Sequence, residues 1–119
     1  MKRLDLLRLF VLAEISDDYE ELSHISENVL KRAELCGLAV RPDDVRTLLL
    51  GLVEAGLAKA YDLSADPPVA VQGPLPADRL LSCYFWITPE GRDVLVSTRD
   101  QWPLDDEDRP RQGWCPPAN

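Results

Sequence analysis

One histidine, three cysteines and several adjacent pairs of carboxylates are the residues of this chain whose types could do chemistry. His24 stands alone, so no His-based metal cluster, Ser-His-Asp triad or cysteine nucleophile with a second histidine can be assembled. It lies beside Ile25 in a helical pattern and is read as a surface or half-buried packing residue. Cys36, Cys83 and Cys115 are an odd set without paired spacing, which suggests neither a disulfide framework nor a zinc site. Cys36 and Cys83 are expected in the core. Asp17-Asp18 and Glu20-Glu21 could serve acid-base catalysis, but their position ahead of a helical pattern is better explained by capping. The sequence has no P-loop, dinucleotide glycine motif or HExxH. The expectation is a protein that is not an enzyme, with no metal and no cofactor.

The remaining polar chemistry is charge. A net charge of -8 argues against a surface that is basic overall, and so against strong non-specific affinity for nucleic acid, which comes mostly from Lys and Arg neutralising phosphates. A local basic patch is still open to the 13 basic residues, and their placement decides. No stretch approaches the roughly 18 apolar residues of a membrane span. The start of the chain runs on through Asp5, Arg8 and Glu14 rather than into a signal-peptide pattern. A cytoplasmic protein without a membrane partner is expected.

At 119 residues with 45% apolar content, one domain with a real core is expected. Arg3 to Ile15 lacks glycine and proline and carries two apolar stripes, Leu4, Leu7, Val11 and Ile15 on one side and Leu6, Leu9, Phe10 and Ala13 on another. Either the helix is central to the domain or the second stripe meets a partner subunit; the latter predicts a homodimer with Leu6, Leu9 and Phe10 at the contact. Asp18 with Glu21 reads as a capping box opening a second helix over 19–36, stopped by Gly37. Pro42 opens a third helix over 42–55, with Val45, Leu48, Leu49 and Leu52 as its buried stripe and Gly56 as its stop. Gly51 in its middle suggests close approach of a neighbouring helix or a partner. Residues 57–63 and 81–88 read as an antiparallel pair, joined by a loop holding four of the ten prolines. Thr88-Pro89-Glu90 caps and opens a last helix over 89–97. From 98 to 119 the chain reads as an acidic, proline-rich tail, leaving 1–97 as the domain.

This order of elements resembles a winged helix-turn-helix, an α+β, mostly α fold with a two-stranded wing hairpin and a C-terminal helix. "LLLGLVEAGLAKAYDL" resembles the end of the third helix and the first wing strand of small bacterial regulators of the PadR and MarR kind. "YFWITPEGRDVLV" resembles their second wing strand and following helix, where a Thr-Pro-x-Gly junction is frequent. The resemblance implies that helix 42–55 enters the major groove and that the loop 63–80 is a wing near the backbone or minor groove. Carried over by position, Arg41, Asp43, Arg46, Thr47 and Leu50 would read bases. Lys31 and Arg32 on the second helix, which read equally as part of a solvated face, and Lys59 at the base of the wing and Arg79 at its far end would meet phosphates.

The charges depart from that pattern. Asp43 and Asp44 fall where free amides would otherwise face a phosphate, and each would repel one. In a first turn they also stabilise the helix itself, by about 0.3 to 1 kcal/mol each. From 57 to 80 there are two basic and three acidic residues. Two functions therefore compete: a regulator-like protein with weak or local DNA binding through helix 42–55 and the wing, and an acidic interaction module that binds another protein through its surface or tail. In the tail, Trp102 is expected to fold back onto the domain, and Trp114 to be looser and available to a partner.

Overall fold

The computed structural model describes residues 2–73, 75 and 77–117. Among these residues, four α-helices, α1 (Arg3–Glu14), α2 (Leu22–Leu35), α3 (Pro42–Glu54) and α4 (Pro89–Ser97), accompany four short strands, β1 (Glu20–Glu21), β2 (Ala58–Asp62), β3 (Val69–Ala70) and β4 (Tyr84–Ile87). The strands form one antiparallel sheet in the order β1-β4-β2-β3. The class is α+β. Among the described residues no helix is long and apolar enough to cross a membrane.

The core grows from α1. Leu6, Leu7, Leu9, Phe10, Val11 and Leu12 are all buried, so this helix is apolar nearly all round because it is enclosed nearly all round. The expectation that Leu6, Leu9 and Phe10 meet a partner subunit is thus corrected: the three are 1%, 2% and 0% exposed within a single chain. Helices α2 and α3 pack against α1 through Ile25, Val29 and Ala33 and through Val45, Leu48, Leu49 and Leu52. The inward side of the sheet adds Ala58, Ala60, Phe85 and Ile87, the alternation a half-buried sheet requires. Cys36 and Cys83 are buried in this core, as expected, and burial raises the Cys36 thiol above its ordinary range.

Both predicted glycine stops close their helices in the same way. Gly37 and Gly56 have positive φ, and the residue after each donates its N–H back to Ala33 and to Leu52 respectively. The start of α2 is a correction. Instead of a capping box at Asp18, Glu20 and Glu21 form β1, paired with Phe85 and Tyr84, and the helix begins at Leu22. Asp18 caps only the next amide, that of Tyr19. Pairing with β4 satisfies backbone groups that a longer helix would have satisfied, and the sheet wins because it also buries Phe85.

The hairpin also differs from expectation. Leu81 and Ser82 belong to a 3-10 turn, Ala77–Ser82, rather than to the strand, and β3 adds a short third partner on the outer edge of β2, so the hairpin is not simply two-stranded. At its far end, Thr88 is the one polar residue among those described that is buried as a whole, backbone included. Its hydroxyl donates to Gly56 O (2.7 Å) and accepts from the Gly91 amide (3.0 Å), while its own amide donates to Leu57 O (3.1 Å). The Thr-Pro-x-Gly junction therefore ties α3, β2 and α4 together.

The last segment is not a loose tail. Trp102 meets Phe10 edge-on, with ring centroids 5.3 Å apart, and Leu104 is 3% exposed within the core. A bridge between Leu104 and Pro110 turns the chain back, and Trp114 packs half-buried against the same core. The boundary drawn at residue 97 is corrected accordingly: residues 102–104 complete the cover over α1. An apolar wall left by α1 needed covering, and the segment that follows α4 supplies it.

Candidate nucleic-acid interface

The residues expected to read bases do share one surface. Arg41, Arg46 and Thr47 are exposed along the first half of α3, and Leu50 is half-buried behind them. The two aspartates have separate tasks. Asp44 Oδ2 accepts the Arg41 amide at 2.9 Å, closing the start of the helix from within. Asp43 lies 3.0 Å from the Arg46 guanidinium across one helical turn, and its backbone carbonyl accepts the Thr47 hydroxyl (3.0 Å). With side chains 47% and 81% exposed, the Arg46–Asp43 pair adds little to stability, but it offsets the charge of Arg46, one of the expected base-reading residues. Gly51 is a correction: a Cβ there would meet nothing within 4 Å, so no helix presses on it. It leaves an open spot on the outer side of α3, beside a hollow of about 370 Å³ shared with Arg3, Leu4 and Arg8 of α1.

The phosphate candidates are dispersed. Lys31 is exposed on α2, Lys59 on the outer side of β2, opposite Trp86, and Arg79 on the 3-10 turn. Arg32, the other candidate on α2, is already engaged within the fold. It forms an ion pair with Glu14, whose side chain is 7% exposed, and its guanidinium lies over the Trp102 ring at 5.3 Å. Asn28 donates to the same carboxylate at 2.8 Å. This group joins α1, α2 and the returning C-terminal segment, and removing its cation would leave a buried charge unpaired.

Beside the hairpin loop, Asp62 is drawn toward its charged form. Both the hydroxyl and the amide of Ser64 donate to Asp62 (2.6 and 2.9 Å), which holds this carboxyl below its ordinary range, with a smaller pull from Arg79. Tyr19, Tyr61 and Trp86 cluster on the outer side of the sheet, with centroids 4.7 to 5.1 Å apart where Tyr19 meets the other two. His24, half-exposed, faces Glu20 at 3.5 Å. Burial pushes the Glu20 carboxyl up; His24 opposes that shift, and the nearby charges of Glu14, Asp18 and Glu21 add to it.

Among the described residues no group of three or more His, Cys, Asp or Glu could hold a metal ion. No family model matches the chain, and neither a curated protein nor a solved structure is found to be similar to it.

Proposed function

We propose that the chain is a winged helix-turn-helix domain acting as a regulator-like protein, which meets DNA weakly and locally through α3 and the wing between residues 63 and 80. The observation that supports this reading is the setting of α3. Its stripe of Val45, Leu48, Leu49 and Leu52 is buried, while Arg46, Thr47 and an unobstructed Gly51 lie on the exposed side, the disposition a groove-reading helix needs. Weakness follows from the charges. With Arg32 and Arg46 engaged, Arg41, Lys31, Lys59 and Arg79 are the cations left from the candidate set. Four phosphate contacts would give a slope of log K against log salt of roughly -3 to -4 at most.

A second reading, an acidic module that binds another protein instead of DNA, is favoured by the Arg46–Asp43 pair itself, since a phosphate-binding helix gains nothing from carrying its own counter-charge. Fluorescence anisotropy on a generic duplex over a salt series separates the two. Replacing Asp43 by Asn, with Asp44 left to close the helix, is expected to strengthen binding several-fold at low salt. If neither wild type nor Asp43→Asn binds duplex at low salt, the DNA reading falls and the protein-partner reading stands. A homodimer, part of the same proposal, would have to use a face other than Leu6, Leu9 and Phe10. Val94 and Val96, 37% and 62% exposed on α4, offer apolar area for one, and sedimentation of Val96→Glu against wild type tests it.

A further inference from the structure

Arg92, Leu95 and Arg99 recur at three and four residues along α4 and the 3-10 turn that follows it, Arg99–Gln101. With Trp102 and Arg111 of the returning segment they line a cleft of about 750 Å³, within the size range that holds small molecules. Although the chain is acidic overall, none of these three arginines has a carboxylate within 4.0 Å among the described residues. Arg92 is steadied by donating to Ser16 O at 2.8 Å, and Arg111 reaches Asp100 O at 3.4 Å. Each guanidinium has five N–H donors in a fixed fork, so most remain free.

Three aspartates also line the cleft, and their state narrows the ligand. Asp105 is occupied, its carboxylate accepting the amides of Glu107 and Arg109 and facing the Arg109 side chain. Asp17 and Asp106 are exposed on the lining and would repel a polyanion more strongly than a ligand with a single oxyanion group. Leu95 and Trp102 supply an apolar wall beside the cations.

We propose that this cleft binds a small organic anion, with one carboxylate or phosphate held by Arg99 and Arg111 and an aromatic or alkyl body against Leu95 and Trp102. The site is independent of the DNA reading. Because its walls come from α4 and from the returning segment, occupancy would also pin that segment to the domain.

The test is calorimetric titration of the full chain with 1-naphthoate, 1-naphthyl phosphate and the neutral 1-naphthalenemethanol, with the Trp102 indole N–H followed by NMR. At least one anion is expected to bind saturably, one per chain, shifting the Trp102 signal, with the neutral compound about tenfold weaker or more. The preferred anion then identifies the oxyanion the site is made for. Arg99→Ala with Arg111→Ala should weaken the anion by about tenfold or more while circular dichroism stays that of the wild type. Asp17→Asn should strengthen it, and this variant carries the test should the double substitution fail to fold. Equal binding of the neutral compound, anion binding unchanged by the double substitution or by Asp17→Asn, or no saturable binding of either anion would each overturn the proposal.

Discussion

Replacing Gly91 by alanine should be among the most damaging single-methyl additions in this protein. A Cβ at that position would lie 2.1 Å from Leu57 O, 3.0 Å from Leu57 C and 2.9 Å from Ile87 Cγ1. Ordinary carbon–oxygen contact needs roughly 3.3 Å or more, so α4 would have to retreat from β2 by about 1 Å. The obstacle is backbone, which cannot turn aside as a side-chain tip can. Overpacking of this kind costs about 1–3 kcal/mol. The same retreat stretches the Thr88 bonds to Leu57 O and Gly56 O, worth about 1 kcal/mol each. Alanine returns about 1 kcal/mol through its better helix propensity. The expected net loss is about 2–4 kcal/mol, a fall in Tm of roughly 10 °C or more. Gly51→Ala is the matched control, since nothing lies within 4 Å of its Cβ; there the propensity gain of about 0.5–1 kcal/mol should appear alone. Urea unfolding followed by tryptophan emission and by circular dichroism measures both. Gly91→Ala as stable as wild type, or the two variants equally damaged, would refute the reasoning.

Arg32→Ala should destabilise the fold by about 3 kcal/mol by stranding the Glu14 carboxylate, yet leave the salt dependence of any DNA binding unchanged; urea midpoints and anisotropy measure the two effects. Ending the chain after Gln101 should cost roughly 3–5 kcal/mol by uncovering Phe10 and removing Trp102 and Leu104, with dye binding reporting the exposed apolar area. Because burial raises the Glu20 carboxyl in the folded state, the fold takes up its proton more readily than the unfolded chain does. Stability associated with Glu20 is therefore full below the ordinary glutamate range and declines as pH rises through the raised value. Glu20→Gln should accordingly unfold at higher temperature than wild type at pH 7, and the difference should close as pH falls below the ordinary glutamate range, as thermal scans across pH will show.

The parts of the fold legible in the sequence are those where local and tertiary demands agree. Pro42, the stripe from Val45 to Leu52 and Gly56 fix α3 by short-range signals alone, and Thr88-Pro89 fixes the start of α4 in the same way. Glu20 and Glu21 misled because a carboxylate that can cap a helix can equally sit in a strand, and the deciding partner, β4, lies over sixty residues on. In the candidate site, Arg41, Arg46 and Thr47 share a surface because one helix carries them. The role of Arg32 was hidden because Glu14 belongs to a different helix and Trp102 to the far end of the chain. Gly91 stood in a motif already conspicuous, Thr-Pro-Glu-Gly, but only the position of Leu57 O shows why its fourth residue must lack a side chain. The grouping of Arg92, Arg99 and Arg111 was not read from the sequence, because the last helix was expected to end at residue 97 and nothing local showed that Arg111 would join the other two.

The contact of Phe10 with Trp102 also sets an order of events during synthesis. A chain emerging from its N-terminus at about 5–20 residues per second presents α1 some 5–20 s before Trp102 and Leu104 exist to cover it. During that interval α2 and α3 can already shield one side of α1, because all three belong to the first half of the chain. The side bearing Phe10 remains in water. The nascent protein thus carries a temporary apolar strip on its first helix, a natural target for a holding chaperone, until the segment bearing Trp102 and Leu104 has been made and withdraws it.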